Sequence, residues 1–178
     1  VVPSRNIGNL TKCVSQIRAM GETCRVIVVW DGEEANHTEL SCWCADQEGP
    51  TGFTFGVQPF IFARNCNIGI RGAGADDVVL INDDALLRTP RGFELLYRAS
   101  VAHTGYGAIC PSFTHGSVGT PDLVNRAGGK LREAKVMLVF ACVYIPRNTI
   151  DRVGLLDERF AVNAGGPGAR GYGLEDDD

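Results

Sequence analysis

Asp77-Val78-Val79-Leu80-Ile81-Asn82-Asp83-Asp84 is the stretch that decides the fold. Its apolar run is of strand length and carries no polar residue. Such a run suits a strand buried on both faces, as in a sheet covered by helices on either side. The polar residues come at once after it, where such a strand would leave the core. A second run of the same kind, Arg25 to Trp30 (RVIVVW), closes with Asp31-Gly32. A third, Val1-Val2-Pro3, leads into Ser4-Arg5-Asn6. Three polar clusters therefore follow three predicted strands.

Helical spacing fills the intervals. Leu10, Cys13, Val14, Ile17 and Met20 recur every three or four residues, which predicts a helix over 9–20 ended by Gly21. Further helices are expected over 60–72, 91–101 and 149–155, with Pro90 placed to start the second. Strands are expected over 106–110 and over the apolar 135–145 (KVMLVFACVYI). Residues 32–58 read as irregular, with one short strand over 39–45. The glycine-rich 164–173 reads as a mobile loop. Strands alternating with helices predict an α/β domain with a mostly parallel sheet flanked by helices. Ligands in such sheets bind beyond the carboxyl ends of the strands. The three polar clusters would converge there.

Composition narrows the function classes. The chain has 178 residues, 44% hydrophobic and 21% charged, with a formal net charge of −4. That suits one domain with one sizeable core. The acidic balance argues against a nucleic-acid partner held by a basic face. No apolar stretch approaches the roughly 18 residues of a membrane span. The seven cysteines are odd in number and irregularly spaced. Most read as small buried hydrophobes of a cytoplasmic protein, with a disulfide or metal clip through Cys42 and Cys44 as the alternative. His37, His103 and His115 share no spacing that suggests a site. There is no GxGxxG fingerprint and no Walker lysine loop.

The chemistry lies with the carboxylates. An isolated Asp-Asp more often caps a turn, but the position of Asp83-Asp84 after a buried strand favours a cation site. Mg²⁺ and Mn²⁺ take carboxylate oxygens and bind together with substrate phosphates. Asp84 is the expected metal ligand, with Asn82 supplying a carbonyl oxygen or a hydrogen bond to a bound sugar. Asp31 reads either as a turn residue or as an acceptor for a base or ribose. Arg5 and Arg64 have the planar fork that suits phosphate, although Arg64 equally suits a helix surface. At the carboxyl end, Gly171-Tyr172-Gly173 precedes Leu174 and Glu175-Asp176-Asp177-Asp178. This reads either as a solvated tail or as a carboxylate that takes a proton from an acceptor hydroxyl, with Asp176 as the candidate.

These segments together resemble the nucleotide-sugar-dependent glycosyltransferases of the GT-A fold, close to family 2 and its rhamnosyltransferase-like members. The resemblance rests on VVPSRN, VIVVWDG, FARNCNIGIRGAGADDVVLINDDALL, ACVYIPRNTIDRVGLLDERF and GYGLEDDD, over nearly the whole of 1–178. The last is also similar to a segment of β-1,4-galactosyltransferases. The resemblance implies a Rossmann-like GT-A domain and a nucleotide-sugar donor, UDP-sugar favoured. It implies a glycan or other hydroxyl acceptor and Mn²⁺ or Mg²⁺. It places Pro3, Ser4, Arg5, Asp31, Arg64, Asn67, Asn82 and Asp83 around the donor and Asp84 on the metal. Glu175 and Asp176 match the acidic pair whose aspartate is the base in inverting members. Asp157 and Glu158 match the segment before the acceptor loop. Two departures stand out. Asn82 replaces the first aspartate of the DxD motif. The chain also stops after the acidic pair, where many members carry a further helix and a metal-binding His, so the domain reads as truncated or minimal there. The alternatives are a sugar-phosphate nucleotidyltransferase, whose Gly-rich basic loop is absent, and a non-catalytic nucleotide- or carbohydrate-binding module.

Overall fold

The computed structural model describes residues 1–113, 131–134 and 138–159. Three strands form a parallel sheet: β1 (Val2–Ser4), β2 (Val26–Trp30) and β3 (Thr51–Phe55), in the order β1-β2-β3. Val2 lies opposite Val28, and Trp30 opposite Phe55. β4 (Val78–Ile81) pairs antiparallel with β5 (Cys142–Ile145), Leu80 opposite Val143. Two hydrogen bonds at Val1 join the pair to the sheet. The Val1 nitrogen donates to Val79 O at 2.7 Å, and Ile81 N donates to Val1 O at 3.0 Å. One residue bridging the two neighbours of Leu80 in this way is the parallel pattern. The strand order across the molecule is therefore β3-β2-β1-β4-β5, with the last strand reversed.

The helices follow from local sequence. α1 (Ile7–Ala19) starts at Asn6, whose Oδ1 accepts from Asn9 N at 3.0 Å. It ends where Gly21 takes a φ of 79° and donates to Arg18 O at 2.9 Å. α3 (Phe62–Ala73) ends at Gly74 with φ 66°. α4 (Gly92–Ala102) and α5 (Arg147–Val153) complete the set, with α2 (His37–Ala45) between β2 and β3.

The apolar strands divide their side chains between two cores. Val28, Trp30 and Ile81 join Leu10, Val14, Ile17 and Phe93 on the face of α1 and α4. Val78, Leu80 and Val143 join Phe62, Cys66, Ile70 and Ile150 on the face of α3 and α5. Adjacent Leu80 and Ile81 go to opposite cores because the pleat alternates. That explains an unbroken apolar run. Gly69 brings α3 onto the sheet: a Cβ there would lie 2.2 Å from Val1 Cγ1 and 3.1 Å from Val29 Cγ2.

Several expectations need correction. Residues 39–45 lie within helix α2 and not in a strand: Leu40 and Cys44, four apart, are both buried. β3 was not anticipated. Its Thr-Gly-Phe-Thr-Phe sequence lies at the edge of the sheet with no fully buried residue, so it lacks the apolar run that marks β1, β2 and β4. In 106–110 only Ile109 pairs, with Tyr144, beside Gly105, Gly107 and Pro111. The long strand expected over 135–145 is limited to Cys142–Ile145 among the described residues. None of the seven cysteines is paired in a disulfide, so Cys42 and Cys44 are not bridged; Cys42 is exposed and Cys44 buried. Among the described residues no helix is long and apolar enough to cross a membrane.

Candidate functional site

The strand order creates a crevice. From β1 the chain passes through α1 to β2 and on to β3. It then returns through α3 to β4 on the other side of β1. Neighbouring connections leave the carboxyl ends of β1 and β4 in opposite directions, which is where α/β sheets open to a ligand. Ser4 and Asn82-Asp83-Asp84 stand at those two ends. Ser4 Oγ donates to Asp83 Oδ2 at 2.6 Å and accepts from Asn6 N at 3.2 Å. Ser4 is buried, while Asp84 is exposed. Burial pushes the Asp83 carboxyl above the ordinary carboxylate range, and the neighbouring charge of Asp84 adds to this. The bonds from Ser4 and Asn9 and the charge of Arg5 oppose it.

Asp31 ends β2 on the adjacent strand and is only 5% exposed. Its Oδ2 accepts from Asn65 Nδ2 at 3.0 Å. The Gln58 amide donates to its backbone carbonyl. Among the described residues Oδ1 has no partner, and neither has the buried Oδ1 of Asn82. Unpartnered buried acceptors are rare, and each calls for an explanation such as a bound group. Burial also raises the Asp31 pKa, opposed by the Asn65 bond and by Arg5. The Arg5 guanidinium lies 5.0 Å from the Phe60 ring centroid, and the residue is exposed. Gly56 keeps the wall of the Asp31 site open, since a Cβ there would lie 2.7 Å from Asp31 Cβ and 2.8 Å from Asn65 Oδ1.

The structure brings Ser4, Arg5, Asp31, Asn82, Asp83 and Asp84 to one edge. Pro3 is buried within β1, opposite Val29. Asn67 is spent elsewhere: its Nδ2 donates to Leu156 O at 2.8 Å and Glu158 Oε1 at 3.0 Å, and its Oδ1 accepts from Leu156 N at 3.0 Å. Arg64 faces Glu158 at 3.6 Å. These two residues tie α3 to the Leu156–Glu158 segment. Glu175, Asp176 and the 164–173 loop lie outside the described residues. Asn65, Gln58 and Gly56 were not singled out from the sequence. Asn65 carried a signal nonetheless: it shares a helical face with Phe62, Gly69 and Ala73, and a polar amide on a buried face needs a partner.

The donor set suits a hard cation in part. Among the described residues no group of three or more His, Cys, Asp or Glu gathers. Asp83 and Asp84 are two carboxylates next to the unpartnered Asn82 oxygen. Mg²⁺ and Mn²⁺ are commonly held by one or two carboxylates, with waters and substrate phosphates completing the shell. Asp84, being exposed, is the one free to lead.

A larger cavity, about 510 Å³, lies at the opposite, amino edge of the sheet. Its charged groups are satisfied internally. Arg25 meets Asp76 at 3.1 Å, Glu22 accepts from Phe93 N at 2.7 Å, and the Tyr144 hydroxyl donates to Asp77. We therefore assign the candidate site to the carboxyl edge, where the buried acceptors of Asp31 and Asn82 stand unpaired among the described residues.

No protein-family model matches the chain, and no curated protein matches it at a significant level.

Proposed function

We propose that the protein is a metal-dependent glycosyltransferase of the GT-A type. It would move a sugar from a nucleoside-diphosphate donor, a UDP-sugar in the first instance, to an acceptor hydroxyl. The observation that carries this reading is the meeting of Ser4 and Asp83 where the strand order reverses, beside the unpartnered acceptors of Asp31 and Asn82. A nucleoside diphosphate supplies what this edge lacks. Its base and ribose donate N–H and O–H groups to buried acceptors. Its phosphates suit the Arg5 guanidinium and a cation held at Asp84. When bound, Mg²⁺ or Mn²⁺ supplies Lewis-acid stabilisation of the departing diphosphate. Asp176 takes the proton of the acceptor hydroxyl, with Glu175 beside it. The acceptor oxygen then bonds to the anomeric carbon as the bond to the diphosphate breaks, and the configuration inverts. Seven cysteines without a disulfide suit a reducing, cytoplasmic setting.

The test is a panel of UDP-, GDP- and dTDP-sugars with Mn²⁺, Mg²⁺ or chelator, read by thermal shift and by product release. A cation-dependent shift with one nucleotide and slow release of its diphosphate supports the reading. Binding without turnover points to a non-catalytic module, and release of pyrophosphate to a nucleotidyltransferase. No shift with any nucleotide overturns it.

A further inference from the structure

We propose that Asn65 is a positioning residue: it holds Asp31 by one oxygen so that the other, Oδ1, faces the ligand's N–H or O–H donor. This rests on the nucleotide-sugar reading above. Asn65 is fully buried on α3, and its amide is used at both ends. Nδ2 donates to Asp31 Oδ2 at 3.0 Å, while Oδ1 accepts from Val57 N at 3.2 Å. One side chain therefore fixes the end of β2 and the loop after β3 against the same helix. The Val57 bond also sets which end of the amide faces Asp31, since the oxygen is already committed. Asp31 Oδ1 stays buried and unpartnered as a consequence. A carboxylate turned freely by χ2 would instead satisfy itself or reach solvent. Gly56 makes room for the arrangement, as a Cβ there would strike both partners.

Asn65 also stabilises the charge. Burial disfavours the ionised carboxyl, and the Asn65 N–H is the largest opposing influence. Arg5, from the loop after β1, is the charged group that acts on Asp31 in the same sense. Removing Asn65 thus leaves a carboxyl that ionises at higher pH and points less well.

The experiment is calorimetric titration of UDP, with Mn²⁺ present, into the wild type, Asn65→Leu and Gly56→Ala. Gly56→Ala wedges the same pair from the loop side and keeps the amide, so it stands if Asn65→Leu fails to fold. Melting curves confirm that each variant is folded. The ratio of each affinity to the wild type cancels the titration of the ligand itself. We expect binding about tenfold weaker at acidic pH, with the deficit narrowing as pH rises. A purely structural Asn65 would lower the melting temperature and give one constant ratio at every pH, which overturns the proposal. So do variants that match the wild type throughout. A wild type that binds UDP while the variants match it defeats the Asn65 role alone. A wild type that binds no nucleotide defeats the glycosyltransferase reading as well.

Discussion

Asp31→Asn separates a site residue from a structural one. The wild-type carboxylate is 5% exposed, with one oxygen bonded to Asn65 and the other to nothing. The variant has the same shape. Its amide oxygen still accepts from Asn65, and its amide nitrogen replaces the unpartnered oxygen, so the number of unpaired atoms stays the same. What changes is the charge. Relief of a buried carboxylate that keeps one hydrogen bond is worth about 3 kcal/mol. Weakening a charge-assisted hydrogen bond to a neutral one costs about 1 kcal/mol, and losing the attraction of the exposed Arg5 costs less than that. The balance is a gain of about 1–2 kcal/mol at neutral pH, or about 2–8 °C in melting temperature for a chain of this size. The gain depends on pH in a definite direction. Folding raises the Asp31 pKa from its ordinary 3.8, so the folded state holds that proton more tightly than the unfolded state. The wild type is therefore favoured by this group at low pH, and loses that contribution as pH rises from 3.8 through the raised value. The variant does not titrate there. Its advantage should be full near neutral pH and vanish below about pH 4. Melting curves over that range measure it, and calorimetry should show nucleotide binding lost in the same variant. A variant that is less stable than the wild type by the same amount at every pH would refute the reasoning and make Asp31 a structural residue.

Other perturbations test other parts. Asp84→Ala should weaken Mn²⁺-dependent nucleotide binding about tenfold with little change in melting temperature, because Asp84 is exposed and is the proposed cation ligand; equal affinity with and without Mn²⁺ in both proteins would count against it. Asp176→Asn should abolish sugar transfer while nucleotide binding persists, so intact transfer in that variant removes Asp176 as the base. Gly69→Ala should destabilise the fold by about 1–3 kcal/mol by urea titration, since the added methyl meets Val1 and Val29 side chains; an unchanged midpoint would mean that α3 moves off the sheet without cost. Arg18→Ala should lower stability by about 2–4 kcal/mol, because its guanidinium donates to Glu22 O, Cys24 O, Pro50 O and Thr51 Oγ1; a loss below about 0.5 kcal/mol would show that water replaces it.

Much of the architecture was legible in the chain because its signals are local. The runs at Val26–Trp30 and Val78–Ile81 carry too many apolar residues for a strand with one wet face, so a sheet covered on both sides follows from composition alone. α1 follows from the spacing of Leu10, Cys13, Val14 and Ile17, with Gly21 marking its end; its start at Ile7, capped by Asn6, lies two residues before the expected Asn9. The polar residues after each run, Ser4-Arg5, Asp31 and Asn82-Asp83-Asp84, were readable as the candidate edge for the same reason. The tertiary structure decided what depends on distant partners. β3 has no apolar signature because an edge strand is held by its backbone bonds to β2. α2 has only Leu40 and Cys44 to show for its buried face. The reversal of β5, and the place of β4 beside β1, come from pairings across long stretches of sequence. Asn65 and Asp31 are 34 residues apart, and Ser4 and Asp83 are 79 apart. A side chain's spacing along the chain says which face it occupies, because the backbone period is local. Which acceptor it finds there, and which it leaves unpaired, is set only when the strands take their order.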